Sequence, residues 1–561
     1  MRAFLICVFA LVSASAILLS CNYKSQTADI VFHNAQIIDC NGTGKEEATS
    51  GAIAVKEGRI IALGAERAIL NTFKAGEFVD LKQAFIYPGF IDAHAHFLGY
   101  SLNKAKVDLV GTASYEEVLE KLEIFSESIH ASDLKGWITG RGWDQNDWAD
   151  NAFPTRHKLD SLFPNRPVAL RRIDGHALLA NKVALEQGGI MEIAGTHIEG
   201  GEIILFPDGS PTGVLVDAAA DLVLDVIPEP SQAAKRRALI EGEKDLFAAG
   251  LTSVVDAGLD VADIKLISDM HETGELQIRV VAMASGTKPN LDSALAQGPW
   301  RTDRLVAESI KFYMDGALGS RGAALLEPYS DRPDFKGYLI QDSESYRESL
   351  YKALDKGFQV CTHGIGDHAV RHILEHYNKV LGGVNDNRWR IEHSQVVASE
   401  DLALYESASV IPSIQPTHAT SDMYWAGERL GKGRIRRAYR YMDLKNILGM
   451  IPLGTDFPIE SIEPLKTFYA ATIRKDSKGY PEEGYYTDQA LDRNSALLGM
   501  TVWASVANRT EKEVGSIEEG KWADFVVLDR NILTVSEDQI LNSHILRTVV
   551  AGNTVYNSKN G

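Results

Sequence analysis

The chain has 561 residues, 45% of them hydrophobic and 24% charged, and its 57 Lys and Arg against 76 Asp and Glu leave a net charge of -19. That length allows a large core or two domains, and the composition is that of an ordinary globular protein. The acidic balance argues against nucleic acid or an anionic membrane face as partner, since either needs a basic footprint.

In the opening segment, MRAFLICVFALVSASAILLSCN, Arg2 precedes an uncharged apolar run that ends in Leu18-Leu19-Ser20-Cys21. This reads as a lipoprotein signal over 1–20 with Cys21 as the lipidated first residue of the mature chain. An ordinary cleaved secretory signal and an uncleaved anchor are the rival readings, and all three export the protein. An acyl chain tethers without a membrane-spanning helix. The expected location is therefore a membrane-anchored lipoprotein facing the periplasm or the cell surface. Cys40 and Cys361 then remain as ordinary thiols, too few for a disulfide framework.

Both ends of the mature chain read as strands and hairpins. Residues 29–39 and 52–64 alternate apolar and polar side chains, the second turning at Lys56-Glu57-Gly58. Residues 523–529 and 547–557 repeat the pattern around Ala551-Gly552-Asn553. The spacing predicts one small β-sandwich from both ends, with 21–83 as its first part and 481–561 as a C-terminal helix and its remainder.

Between them, eight Val- and Ile-rich runs read as strands: 85–96, 251–258, 277–285, 308–316, 358–367, 388–395, 410–418 and 449–458. Several are separated by amphipathic helices such as 345–357, which stops at a glycine. This α/β alternation over 84–480 predicts a (β/α)8 TIM-type barrel. An open doubly wound sheet is disfavoured, because metal-type residues sit at strand ends throughout the run and not at one switch point. After the first strand comes a long insertion, about 100–230, with Trp137, Trp143 and Trp148. It is either a lid or substrate wall, or a subdomain with its own tryptophan core. The basic segment 432–440 reads as a solvated helix face.

The chemistry gathers at the strand tips. His94 and His96 stand one residue apart after an apolar run, and residues i and i+2 of a strand share a face, so both rings can reach one ion. Taken alone, they could equally be a pair of loop histidines. Lys311, His363, His393 and Asp456 follow at later strand ends, and a barrel would bring all six to one mouth. Neutral imidazole and carboxylate suit zinc and related divalent ions.

The segments PGFIDAHAHF (88–97), RGWDQNDW (141–148), RRIDGHALLAN (171–181), KFYMDGALGSRGAALLEPY (311–329), THGIGDHAV (362–370), RIEHSQ (390–395), SIQPTH (413–418) and LGTDFPIESIEPL (453–465) resemble the amidohydrolase superfamily. The nearest likeness is its amidohydrolase-3 branch, which includes YtcJ-like proteins and N-substituted formamide deformylases. Gly322 departs from the threonine common there. The resemblance implies that His94, His96 and Asp456 hold the more buried of two divalent ions, zinc being expected, and that His363 and His393 hold the second. It also implies that Lys311 is carboxylated and bridges them; the rival is an ordinary lysine paired with Asp315. Metal-activated water would attack a carbonyl while Asp456 relays its proton. His176 and Arg321 are candidates for binding substrate, or else for structural loop contacts, and Asp174, Gln415 and His418 are given no role.

The expected activity is hydrolysis of a carbon–nitrogen bond in a small amide, N-acyl or N-formyl compound. Three rivals remain: an esterase or lactonase at the same site, a mononuclear deaminase, and a non-catalytic tethered binding lipoprotein. Expected partners are a small-molecule substrate, no nucleic acid, and membrane only through Cys21, with a homodimer left open.

Overall fold

Seven parallel strands form the central sheet: Phe90–Ala95, Leu251–Leu259, Arg279–Ser285, Leu305–Tyr313, Gln359–Gly364, Arg390–His393 and Ile411–Ser413, each hydrogen-bonded to the next in chain order. An extended segment closes the circle. Gly454 N donates to Ile414 O at 2.9 Å, while Ala93 N donates to Leu453 O at 3.1 Å and Asp456 N to His94 O at 2.8 Å. The segment around 452–457 thus sits as the eighth stave between the last strand and the first, and the fold is an α/β barrel of the TIM type. The closeness depends on Gly454, where a Cβ would stand 2.5 Å from His94 N. In this computed structural model the described residues are 26–41, 47–104, 106–128, 136–145, 148–149, 152–172, 177–198 and 201–558. The signal segment with Cys21, and also Asp174 and His176, lie outside them.

The expected first barrel strand, 85–96, is in fact two strands. Phe85–Pro88 pairs with Gln36 and Ile37 on one side and with Phe525–Leu528 on the other, whereas Phe90–Ala95 belongs to the barrel. The break is Gly89, where any Cβ would lie 2.1 Å from Thr252 Oγ1, so the backbone passes only because no side chain is there. Through Phe85–Pro88 the two chain ends join in one eight-stranded sheet. Phe32, Ile53, Ile86, Phe525, Val527 and Val549 share a buried cluster on it. The two hairpins turn where expected, with Glu57 and Gly58 at φ 52 and 75°, and Ala551 and Gly552 at φ 47 and 75°. Successive left-handed residues match the twist of tight hairpins.

The chain divides into two compact units, one comprising residues up to 96 with 244–561, the other 97–243. The second has its own six-stranded sheet, running from Gly201–Leu205 to Val107–Asp108. Its tryptophans are core residues. Trp143 and Trp148 sit 6.1 Å apart in one buried cluster, their indole N–H groups donating to Leu170 O and Thr112 O, and Trp137 lies in a neighbouring cluster. The basic segment 432–440 is solvated at Lys432 and Arg436, while its other arginines are half-buried. Arg434 donates to Glu327 O and Pro328 O, and Arg436, Arg437 and Arg440 pair with Asp488, Asp367 and Asp443. Among the described residues no helix is long and apolar enough to cross a membrane.

Candidate metal centre

The barrel register brings the strand tips together. His94 Nε2 lies 3.6 Å and His96 Nε2 3.2 Å from the same oxygen, Asp456 Oδ1. The opposite nitrogens are committed: His94 Nδ1 meets Glu392 Oε2 at 2.7 Å, and His96 Nδ1 meets the Ala257 carbonyl at 2.9 Å. Both carbonyl and carboxylate accept, so each ring carries a proton on Nδ1 and turns its Nε2 toward Asp456. This second layer of hydrogen bonds is what orients histidine ligands. The His393 ring stands 5.0 Å from that of His94 and 4.5 Å from that of His363. Lys311 Nζ, fully buried, lies 3.2 Å from His94 Nε2. All six expected residues share one neighbourhood.

Burial sets the protonation states. It lowers the pKa of His94 to about 4 and that of His363 to about 3, with Lys311 contributing, and takes His393 well below its ordinary value. All three rings are neutral at pH 7, the form that donates a lone pair. Burial also lowers the Lys311 amine. It pushes Asp456 upward, but His418 and the other imidazoles outweigh this and hold the carboxylate ionised.

Among the buried atoms without a hydrogen-bond partner are His363 Nε2, His393 Nδ1 and Asp456 Oδ1. An unsatisfied buried polar group costs about 1–3 kcal/mol, and divalent ions would satisfy all three, so the donor set fits them. Two groupings have every ligand atom within 4.8 Å of the others: His94, His96, Asp456 and His393, His418, Asp456. The backbone is strained at two of these positions, with His393 at φ 74° and Asp456 at φ 64°. Left-handed conformations at residues other than glycine persist where surrounding structure imposes them, often at functional sites.

Several important groups carried no role in the sequence reading. His418 Nε2 lies 3.3 Å from Asp456 Oδ2, and its Nδ1 lies 3.1 Å from Glu460 Oε1. Burial pulls its pKa down, yet the two carboxylates prevail and push it up to about 10. Glu392 is flanked by His94 and by Arg390, whose Nε lies 2.9 Å away, all three side chains fully buried. Asp92 ties the first stave to the eighth, accepting from His94 N, Thr455 N and the Thr455 hydroxyl. A carboxylate two residues before His94, and the Glu immediately before His393, were the available signals. The Asp315 carboxylate accepts from Ala324 N, Ile365 N and Gly366 N. Among the described residues no ion pair joins it to Lys311. Arg321 is paired bidentately with Asp331.

A parallel barrel whose rim gathers neutral imidazoles around a buried carboxylate defines a hydrolase class with a donor set suited to divalent ions. The chain belongs to the amidohydrolase family, whose model matches residues 77–556. It is similar to the putative amidohydrolase YtcJ of Bacillus subtilis, at 31% identity over 90% of this chain and 96% of that one. It is 25% identical to the N-substituted formamide deformylase of Arthrobacter pascens over 94% of this chain and 98% of the relative. Among solved structures, a metal-dependent hydrolase from Pyrococcus horikoshii superposes with a TM-score of 0.75 at 27% identity, covering 91% of this chain and 99% of that one.

Proposed function

We propose that the protein hydrolyses a carbon–nitrogen bond in a small amide, N-acyl or N-formyl compound, using two divalent ions, zinc first among them. The observation that carries this reading is Asp456 Oδ1, buried and without a hydrogen bond, facing the Nε2 atoms of His94 and His96. The name of the Arthrobacter relative, a deformylase of N-substituted formamides, supports the bond type.

His94, His96 and Asp456 would hold the deeper ion, His363 and His393 the second, and Lys311 would bridge them as a carbamate. Such ions, when bound, polarise a carbonyl and lower the pKa of water. Burial keeps the Lys311 amine deprotonated more readily than a free lysine. Its lone pair can therefore add to carbon dioxide and release a proton, turning a neutral donor into an anionic one. Asp456 takes the proton of the attacking water and returns it to the leaving nitrogen. His418, protonated between Asp456 and Glu460, holds a positive charge beside that carboxylate. Tyr313, 39% exposed and 5.6 Å ring to ring from His363, lines the mouth. His176 is retained as a substrate-binding candidate, while Arg321, engaged by Asp331, is assigned to shaping its loop.

In this reading, the joined terminal sheet curls into a small sandwich around Phe32, Ile86 and Phe525, and Cys21 carries an acyl anchor after export. The test is a panel of matched amides, N-formyl compounds and esters offered to zinc-loaded protein. Turnover of amides or N-formyl compounds, lost on chelation and restored by zinc, is expected. Hydrolysis confined to esters, or turnover indifferent to chelation, overturns the proposal.

A further inference from the structure

Helix Asp367–Leu381 carries histidines at 368, 372 and 376. At a spacing of four residues they line one flank of the helix. Ala369, Val370, Ile373, Leu374 and Tyr377 occupy the core-facing side. The flank meets the neighbouring helix Ser343–Asp355. Ser343 Oγ lies 3.1 Å from His372 Nε2, and the Tyr346 ring lies 5.7 Å from that of His376. His372 Nε2 and His376 Nε2 are 3.1 Å apart, with ring centroids at 4.5 Å. The His368 ring follows at 6.5 Å from His372.

None of these residues belongs to the strand-tip cluster, and nothing in the proposed hydrolysis uses them. The spacing of the paired nitrogens is what a shared ion demands. Imidazole–zinc bonds of about 2.0–2.1 Å place two ligand nitrogens about 3.1 Å apart at an angle of about 95–100°, between octahedral and tetrahedral values. We propose that His372 and His376, with the Ser343 hydroxyl beside them, form a second, peripheral site for a borderline divalent ion of the Cu2+, Ni2+ or Zn2+ kind. Such ions favour imidazole nitrogen, whereas harder ions of the Mg2+ kind favour oxygen. Burial lowers both imidazoles, His376 to about 4, so both rings are neutral at neutral pH, and each can turn an Nε2 lone pair to an ion once its remaining proton rests on Nδ1. The half-buried His372 and exposed Ser343 leave the site open to solvent on one side. An ion bound there would strap Ser343–Asp355 to Asp367–Leu381, two helices of the barrel's outer layer.

The test starts from full-length protein with its central site loaded with zinc and freed of excess ion. Cu2+ is then titrated in and followed by electron paramagnetic resonance. The wild type is expected to take up one further equivalent showing coupling to two imidazole nitrogens. H372Q is expected to lose that signal while keeping the wild-type melting temperature and central zinc content. H376Q should do the same; because His376 is nearly buried, H372Q is decisive if H376Q fails to fold. Equal Cu2+ uptake by wild type and H372Q, or a spectrum without paired nitrogen coupling, would overturn the site and leave an N–H···N hydrogen bond in its place.

Discussion

Glu392→Gln tests whether the carboxylate behind His94 governs the centre. The wild-type carboxylate accepts from His94 Nδ1 at 2.7 Å and pairs with Arg390 at 2.9 Å, and none of the three side chains is exposed. Burial raises the Glu392 pKa, but Arg390 and His94 prevail and keep it below the ordinary range. Glutamine retains an oxygen for the His94 N–H but removes the charge. Breaking a buried pair from one side costs about 3–5 kcal/mol. Asn508 Oδ1 still accepts from Arg390 Nη1 at 2.9 Å, which argues for the lower end. Loss of a group that orients a histidine ligand weakens metal binding roughly 10–100-fold. The two effects separate cleanly: urea unfolding of metal-free protein reads the first, and competition with a chromogenic chelator reads the second. Metal affinity within about threefold of wild type would refute the orienting role, because the substitution removes the very charge that role depends on.

Lys311→Ala should lose metal and turnover, with partial recovery in a short carboxylic acid; full activity in the variant would remove the bridging carbamate. Asp456→Asn should lower turnover to background while circular dichroism stays native, and retained turnover would exclude it as the proton carrier. Gly454→Ala places a methyl 2.5 Å from His94 N, an overpacking expected to cost about 1–3 kcal/mol and to weaken metal binding, read by the same unfolding and competition assays. Burial raises the Asp92 carboxyl to about 7, above its unfolded value, so the folded state holds the extra proton. The stability this gives is complete below about pH 4 and is lost as pH rises to 7. Between pH 5 and 7 the metal-free wild type should lose roughly 2 kcal/mol relative to Asp92→Asn, the slope of about 1.4 kcal/mol per pH unit levelling off as the folded carboxyl ionises near pH 7. A difference that does not change with pH would show that Asp92 titrates normally.

The barrel was legible because its strands are buried on both faces and read as continuous Val- and Ile-rich runs. The eighth, around 452–457, was legible from its short apolar run, and backbone hydrogen bonds tie it to Ile414 on one side and to Ala93, His94 and His96 on the other. The split of 85–96 was not, because Gly89 gives way to Thr252, a residue 163 positions later whose approach no local pattern announces. The strand-tip residues stood out by chemistry and position. Their supporting layer did not: Glu392 meets His94 across 298 residues of chain, and as a lone buried Glu in RIEHSQ it has no periodicity to mark it. His418 lay in a segment that resembles the family, yet its tie to Asp456 depends on helix Pro416–Asp422 folding back over the last stave. The tryptophans of the insertion allowed two readings, and the hydrogen bonds of Trp143 and Trp148 to backbone carbonyls decide for a core.

The pairing of Phe85–Pro88 with Phe525–Leu528 has a consequence for how the protein is made. A ribosome delivers His94 and His96 early, but the sheet that anchors the preceding backbone lacks a strand until more than four hundred further residues have emerged. The first two imidazoles of the centre are thus among the earliest parts synthesised and among the last to be seated. A nascent chain released between Asp456 and Phe525 would carry every rim residue and still lack the strand that pairs with Phe85–Pro88.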